Sequence, residues 1–570
     1  KITIRGINRH ENDSENGRYV TVEQIKRDLE VIKSANINAI RCSHYTNNPA
    51  FYELASEMGF YVMDEADLES HGCGITGDQG YINKIAAWNK AFLDRVKRMV
   101  ACNKNETCIV IWSVGNENGE GENCDACIKY LNTLEDKKPA VGGKPSSFII
   151  CGYPDVSKMR KCLEENKNDD RPIMLIEYAH AMGNGPGSLE SLWNFVLENP
   201  QYCGGYVWEF RSHGMKRNNK DGTVDYLYGG DFHDEGHWSN FTLDGFLTSD
   251  STPKPTFYDL KYIYAPIGVK YKSEELIIEN QFDFIDTSHL SFEAILSAGG
   301  KTCATVKLNV GGIEPHESAK FPIKHLYSGY DRFITVLVRS GNEIIKKSQF
   351  ILEADINKSP LGDSVEKIDI ISEHGKTVVS GQNFEVVFKN GLPCFYKKDD
   401  VIYIDKPVEF VTYRAEIDND GIVGLFPRWI SCWEDVHLHK MRFFERQTVI
   451  SKKHNVARID INGIITAEHC FSAFDISGQY LISHGGLLRV KYNVRPTGRM
   501  PRLPQSKISR LPRFGVCIPM NKSYNRVSWF GRGENQSYTD STISAPVGMY
   551  DLPIEKMNFL YDVPQETGSR

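Results

Sequence analysis

The chain has 570 residues, too many for one hydrophobic core, so two to four domains are expected. Its 41% apolar and 25% charged residues are the balance of an ordinary globular protein. A formal net charge of −7 argues against nucleic acid or an anionic membrane surface as the main partner, and no apolar run approaches the roughly 18 residues of a membrane span.

Residues 1–258 alternate strand and helix. Lys1 to Gly6 reads as a strand. Thr21, with Gln24 three residues on, has the form of a capping box, and Ile25, Leu29 and Ile32 follow at helical spacing. Asn38–Cys42 is a second strand. Asn48 then caps a helix whose first residue is Pro49 and which Gly59 ends. Phe60–Asp64 is the third strand, Trp88, Phe92, Val96 and Met99 stripe a longer helix, and Cys108–Val114 is the fourth strand. Pro139–Val141, Phe148–Cys151, Ile173–Ile176 and Gly205–Trp208 complete eight strands, the number of a (β/α)8 TIM barrel. No glycine-rich phosphate loop follows any strand, which disfavours a nucleotide-binding fold.

After Pro255 the pattern turns all-β. Residues 259–355 read as a small immunoglobulin-like β-sandwich and residues 356–570 as a larger β-sandwich, so the chain is multidomain, α/β followed by all-β. The 14 scattered cysteines read as free thiols of a reducing, cytoplasmic compartment. Cys124 and Cys127 lack the second pair that zinc would need and read as one face of a helix. Lys1 is not an initiator methionine and Ile2 already reads as strand, so the natural N-terminus is expected upstream.

Two carboxylates stand out. Glu117 follows strand 4 and Glu177 closes strand 7, at the barrel end where such enzymes keep their chemistry. One acid there serves a helix N-terminus as readily as a reaction. Two on one rim point to glycosidic bond cleavage, with carboxyls about 5–5.5 Å apart for a retaining enzyme. Glu177 would be the ionised nucleophile. Glu117 would be the acid/base, its pKa pushed up by the charge of Glu177. Glu69 and His71 point the same way on an extended segment, as half a metal site or as surface charges. His10, His44 and Trp208 lie on the same rim, where sugar hydroxyls and ring faces are met. Tyr153 follows strand 6.

Arg5–Glu11, Arg41–Tyr45, Trp112–Glu117 and Glu177–Asn184 occur in order, and together they resemble the large bacterial β-galactosidases of the lactose-operon type, in glycoside hydrolase family 2. Tyr413–Asp420 and Trp529–Asn535 resemble that family's last domain, which β-glucuronidases and β-mannosidases lack. The resemblance implies cleavage of terminal β-D-galactosides, with Glu117 as acid/base, Glu177 as nucleophile and Tyr153 as catalytic-site tyrosine. It implies galactose contacts from His10, His44, Asn116, His180 and Trp208. It implies Mg2+ on Glu69, His71 and Glu117, and Na+ on the Phe241 carbonyl and Asp244. Homo-oligomers are common in that family. The alternatives are another family 2 specificity, such as β-glucuronidase, or an impaired carbohydrate-binding fragment. The chain departs from the family pattern in a short Lys137–Gly152 segment, in Gly152 before Tyr153, and in Phe210–His213 after Trp208. Relative to the family it is expected to lack the N-terminal domains and the end of the last domain.

Overall fold

The computed structural model describes residues 2–323, 332–353, 367–421, 429–453, 455–470, 472–501 and 510–570. The boundary expected between residues 355 and 356 lies outside them. The chain divides into two units, one of residues 1–354, 529–550 and 558–570 and one of residues 355–528 and 551–557. The motif Trp529–Asn535 therefore falls in the first unit.

The first unit opens with β1 (Ile4–Arg9), α1 (Val22–Ser34), β2 (Ala39–Cys42), α2 (Pro49–Glu57), β3 (Tyr61–Glu65), α3 (Asn89–Asn103), β4 (Ile109–Ser113) and α4 (Glu122–Leu131). It continues with β5 (Ala140–Val141), β6 (Ile149–Ile150), α5 (Val156–Glu165), β7 (Ile173–Tyr178), α6 (Leu189–Glu198), β8 (Tyr202–Val207) and α7 (Pro255–Ile263). The eight strands form one parallel sheet in the order β5-β4-β3-β2-β1-β8-β7-β6. Pairing of β1 with β8 curls the sheet into the expected barrel. The boundary expected at residue 258 falls inside α7, which packs on α6 as the last barrel helix.

The local signals hold with two amendments. Thr21 Oγ1 accepts the Gln24 amide, but the Gln24 side chain turns to Asp13, so only half of the capping box forms. Asn48 caps α2 as expected, through Ala50 N at 3.0 Å. Trp88 lies before α3 and is half-exposed, because the stripe that faces the core begins at Phe92.

The wall is irregular between β5 and β6. No helix joins them, and the connection, residues 142–148, is shorter than the dozen or so residues a parallel crossover needs. The chain turns back on itself instead: Ser147 N donates to Ala140 O at 2.9 Å and Ala140 N donates to Ser147 Oγ at 3.0 Å. Among the described residues no ladder joins β5 to β6.

Strand alternation sorts the barrel residues. One set (Ile4, Ala39, Met63, Ile111, Val141, Met174 and Tyr206) makes an apolar layer inside, while Ile7, Ile40, Val62, Trp112 and Leu175 face the helices. In β7 the register shifts between Leu175 and Tyr178. Both of those residues pack outward, so the alternation breaks between them and Glu177 turns inward.

Seven antiparallel strands follow, three in one sheet (Ile267–Lys272, Glu275–Asn280, Ser318–Pro322) and four in another (Leu290–Ala298, Lys301–Leu308, Arg332–Ser340, Glu343–Glu353). They enclose Ile278, Phe292, Val336 and Val338, as expected of a small sandwich. The second unit holds two antiparallel meanders around Phe388, Trp433, Ile459 and Tyr480. Within it Arg414 grips Asp420 with two bonds of 2.7 and 3.0 Å. All fourteen cysteines are free, and no described helix is long and apolar enough to cross a membrane.

Candidate active site

Above the apolar layer, toward the strand C-termini, the barrel interior turns polar. Asn8, Arg41, Glu65 and Ser113 end β1 to β4, and each is fully buried. Arg41 is the hub. Its Nε and Nη2 donate to Glu65 at 2.9 and 3.0 Å, Nη1 donates to Glu177 Oε1 at 2.5 Å and Asn8 Oδ1 at 3.1 Å, and Nη2 reaches Asn116 Oδ1 at 3.0 Å. Burial raises the Glu65 carboxyl, but the Arg41 charge together with the charge and bond of His44 and the bond from Ser113 outweighs it and holds Glu65 at about 2. Neither Arg41 nor Glu65 is among the site residues expected from the sequence. Their signal was a charged residue at each strand end, in phase with the inward layer.

Glu117 leaves β4 through a constrained turn. Gly115 has φ of +151°, and a Cβ there would sit 2.2 Å from the Leu68 carbonyl oxygen. Asn116 N donates to that same oxygen at 2.8 Å. Glu117 (φ +42°) and Tyr153 (φ +41°) both hold the left-handed conformation that non-glycine residues rarely adopt. Burial raises the Glu117 carboxyl and the charges of Glu177 and Glu69 add to it, against the opposing His71. The expected coupling to Glu177 is thus present, second to burial among the raising effects.

Glu177 is buried and keeps Arg41 on one oxygen. Tyr153 N donates to the Glu177 carbonyl at 2.8 Å, and the Tyr153 hydroxyl bonds the Glu177 side chain. Burial of that hydroxyl, then the Glu177 charge, pushes the phenol well up, so it stays a donor. Tyr153 as a whole is 44% exposed.

The predicted sugar contacts converge beside these acids. His44 stacks on Trp208 at 5.3 Å and places Nδ1 2.8 Å from Glu65. His10 meets Trp208 edge-on at 5.5 Å, and its Nδ1 lies 2.6 Å from Glu209. Trp208 Nε1 donates to Asp244 Oδ2 at 2.7 Å, which His180 Nε2 approaches to 3.5 Å. His180 also stacks on Phe241 at 5.7 Å and meets Tyr153 at 5.9 Å. Asn116 spends its amide oxygen on Arg41 and donates from Nδ2 to Glu69 at 3.2 Å.

Glu209 and His213 were not among the predicted site residues. Glu209 is 1% exposed, and His213 Nε2 lies 3.4 Å from it. Burial lowers His10, whereas Glu209 raises His213 against the same effect; one buried carboxylate supports one imidazolium, not two. Burial would raise Glu209, but the two histidines hold it well below the usual range. The loop after β7 is fixed from far along the chain, with Asn184 bonded to Tyr538, Gln565 and Glu566.

Two groups have the chemistry of cation sites. One ligand atom each from Glu69, His71 and Glu117 lies within 4.8 Å of the others, and all three residues are exposed. Two carboxylate oxygens and one imidazole in reach of water suit a hard cation that keeps several waters. Asp244 is 3% exposed, and its Oδ1 is buried without a hydrogen-bond partner among the described residues, an acceptor that a cation would satisfy. Phe241 lies in the adjoining turn Ser239–Thr242.

Known proteins match the same segments. Residues 1–269 fit the model of the glycosyl hydrolases family 2 TIM barrel domain, residues 276–350 that of β-galactosidase domain 4, and residues 380–570 that of the β-galactosidase small chain. The chain is 27% identical over 624 residues to a β-galactosidase of Pseudoalteromonas haloplanktis and 29% identical over 622 residues to one of Kluyveromyces lactis. Both matches take in 100% of this chain but only 58% and 57% of those relatives, so the chain spans well under two thirds of their length. Among solved structures, a family 2 β-galacturonidase from Eisenbergiella tayi aligns at 17% identity and a TM-score of 0.36, over 47% of this chain and 52% of that one. A β-glucuronidase from Faecalibacterium prausnitzii aligns at 19% and 0.34, over 46% and 49%. With the barrel, domain 4 and small-chain models matched in order along the chain, its barrel, residues 1–269, belongs to glycosyl hydrolase family 2.

Proposed function

We propose that this chain carries the catalytic site of a retaining β-galactosidase. The observation that supports it most is the Glu177 side chain, turned into the barrel and held by Arg41 and the Tyr153 hydroxyl, with the raised carboxyl of Glu117 facing its charge. Glu177, paired with Arg41, attacks the anomeric carbon. Glu117, protonated at the start, gives its proton to the leaving oxygen. The glycosyl ester on Glu177 is then broken by water, which Glu117 deprotonates, restoring both groups. The Tyr153 phenol donates to Glu177 and steadies the carboxylate when it leaves. His10, His44, His180 and Trp208 offer ring faces and hydrogen bonds to the sugar.

A neutral sugar suits this wall better than a uronate. Glu65, Glu177, Glu209 and Asp244 line it, and Arg41, its buried cation, is already committed to two of them. The competing β-glucuronidase reading has one observation behind it: Arg18 lies over the Tyr45 ring at 4.5 Å, and its charge reaches His213. Nitrophenyl β-galactoside is expected to be hydrolysed at least about tenfold faster than the β-glucuronide. NMR is expected to show β-galactose as the first sugar released. Faster glucuronide hydrolysis would overturn the sugar assignment, and α-galactose would overturn the retaining mechanism.

Glu69, His71 and Glu117 would hold Mg2+, which would orient Glu117 and offset charge around it, and Asp244 with the Phe241 carbonyl would hold Na+. EDTA is expected to lower kcat roughly tenfold or more, reversibly on adding Mg2+. Glu69→Gln should show the same loss without further sensitivity to EDTA. An EDTA effect unchanged in that variant would place the metal elsewhere.

A further inference from the structure

At the N-terminal ends of the barrel strands, opposite the carboxylates, lies a cavity of about 1060 Å3. Its walls come from β1, α6, the Glu343–Glu353 strand and the segment 529–550, all within the first unit. Arg5, Trp193, Lys346 and Phe350 border it.

Two donors there, Arg5 Nε and Trp193 Nε1, lack acceptors among the described residues. Arg5 is 3% exposed; Nη2 donates to Gln281 O at 3.0 Å, and Nε is buried without a partner. Lys346 donates to Tyr262 O at 2.7 Å. Neither cation has a carboxylate within ion-pair distance among the described residues, although Asp283 acts on Arg5 and Glu190 on Lys346 through space. The buried indole N–H of Trp193 is also without a partner. Burial lowers Lys346 to about 8, and the Arg5 charge pushes the same way. Burial also lowers Arg5, to about 10, a value at which the guanidinium keeps its charge. Buried cations are normally paired, and two that repel each other across one cavity are a standing cost.

We propose that this cavity is a binding site for a tetrahedral oxyanion, a phosphate or sulfate group that accepts hydrogen bonds from the Arg5 guanidinium and Lys346 Nζ. The volume exceeds what a bare ion needs, and the aromatic ring of Phe350 on its wall suits a sugar-sized body attached to it. The bound group is thus the phosphate of a sugar ester, with free phosphate as its minimal form.

The test is calorimetric titration of the whole chain with inorganic phosphate, glucose 6-phosphate and glucose. Phosphate and the ester are expected to bind, the ester more tightly, and glucose is not. Lys346→Gln should weaken both by about tenfold or more, while the exposed Lys272→Gln leaves them unchanged. A second readout is the titration of Lys346 itself, followed by NMR of its methylated amine. Its midpoint should rise from about 8 when phosphate is present, whereas a purely structural lysine would not respond. An ester bound no more tightly than phosphate would reject the sugar body and leave the oxyanion site standing. Absence of binding at about 10 mM, or equal affinity in Lys346→Gln, would overturn the proposal.

Discussion

Glu177→Gln is expected to remove hydrolysis of a nitrophenyl β-galactoside by at least roughly 10^4-fold, the scale of losing a covalent nucleophile. The amide keeps the shape of the carboxylate and can still accept from Arg41 and the Tyr153 hydroxyl, so the pocket should stay assembled. Arg41 retains the charge of Glu65 on its other face, which limits the cost of losing one partner. The unfolding midpoint is therefore expected to move little while kcat collapses. Residual kcat within about tenfold of the parent would show that Glu177 does not form the covalent bond.

Arg41→Met is expected to cost about 3–5 kcal/mol of stability together with most of the activity. Glu65 and Glu177 would be left as buried carboxylates without their guanidinium. The pH dependence separates this cause from a packing defect. In the parent, Glu65 sits at about 2, below its unfolded value. Its contribution is therefore full above the unfolded value and is lost only as pH falls toward 2. Without Arg41, only the His44 and Ser113 bonds oppose burial, which then lifts the carboxyl above its unfolded value. The folded variant then takes up protons first, and it should gain stability on going from pH 7 to pH 5, where the parent does not. Urea unfolding at the two pH values measures the difference. Arg41→Met combined with Glu65→Leu should recover part of the loss. A variant equally destabilised at both pH values, with no recovery in the double substitution, would mean that Arg41 acts through volume alone.

Much of this was legible in the sequence because barrel strands are short apolar runs with polar ends. All eight were found, and their count placed Glu117 after β4 and Glu177 on β7. Period-two alternation, however, would send Glu177 outward with Leu175; the register shift that turns it inward leaves no mark in composition. Arg41 looked like any charged strand end, since its four partners lie on separate segments that only the closed sheet assembles. Glu209 and His213 were hidden differently: His213 sits in a stretch that departs from the family pattern, and Glu209 directly precedes that stretch. The anchoring of Asn184 by Tyr538 and Gln565 spans most of the chain and has no local signature.

The connection between β5 and β6 bears on the carboxylates in another way. A barrel laddered all round behaves as a closed hoop, in which every chord is fixed by the circumference. This sheet behaves as a split ring, with its gap between the strand pair that carries Glu117 and the pair that carries Tyr153 and Glu177. The width of such a gap follows the curvature of the remaining arc, β4 through β1 to β7, and not a ladder across it. What braces the arc is side-chain chemistry: Arg41, clamped to Glu65 on one side and Glu177 on the other, is a strut spanning the ring from within. The strands that carry the two acids are thereby braced by an ion pair where no ladder closes the sheet.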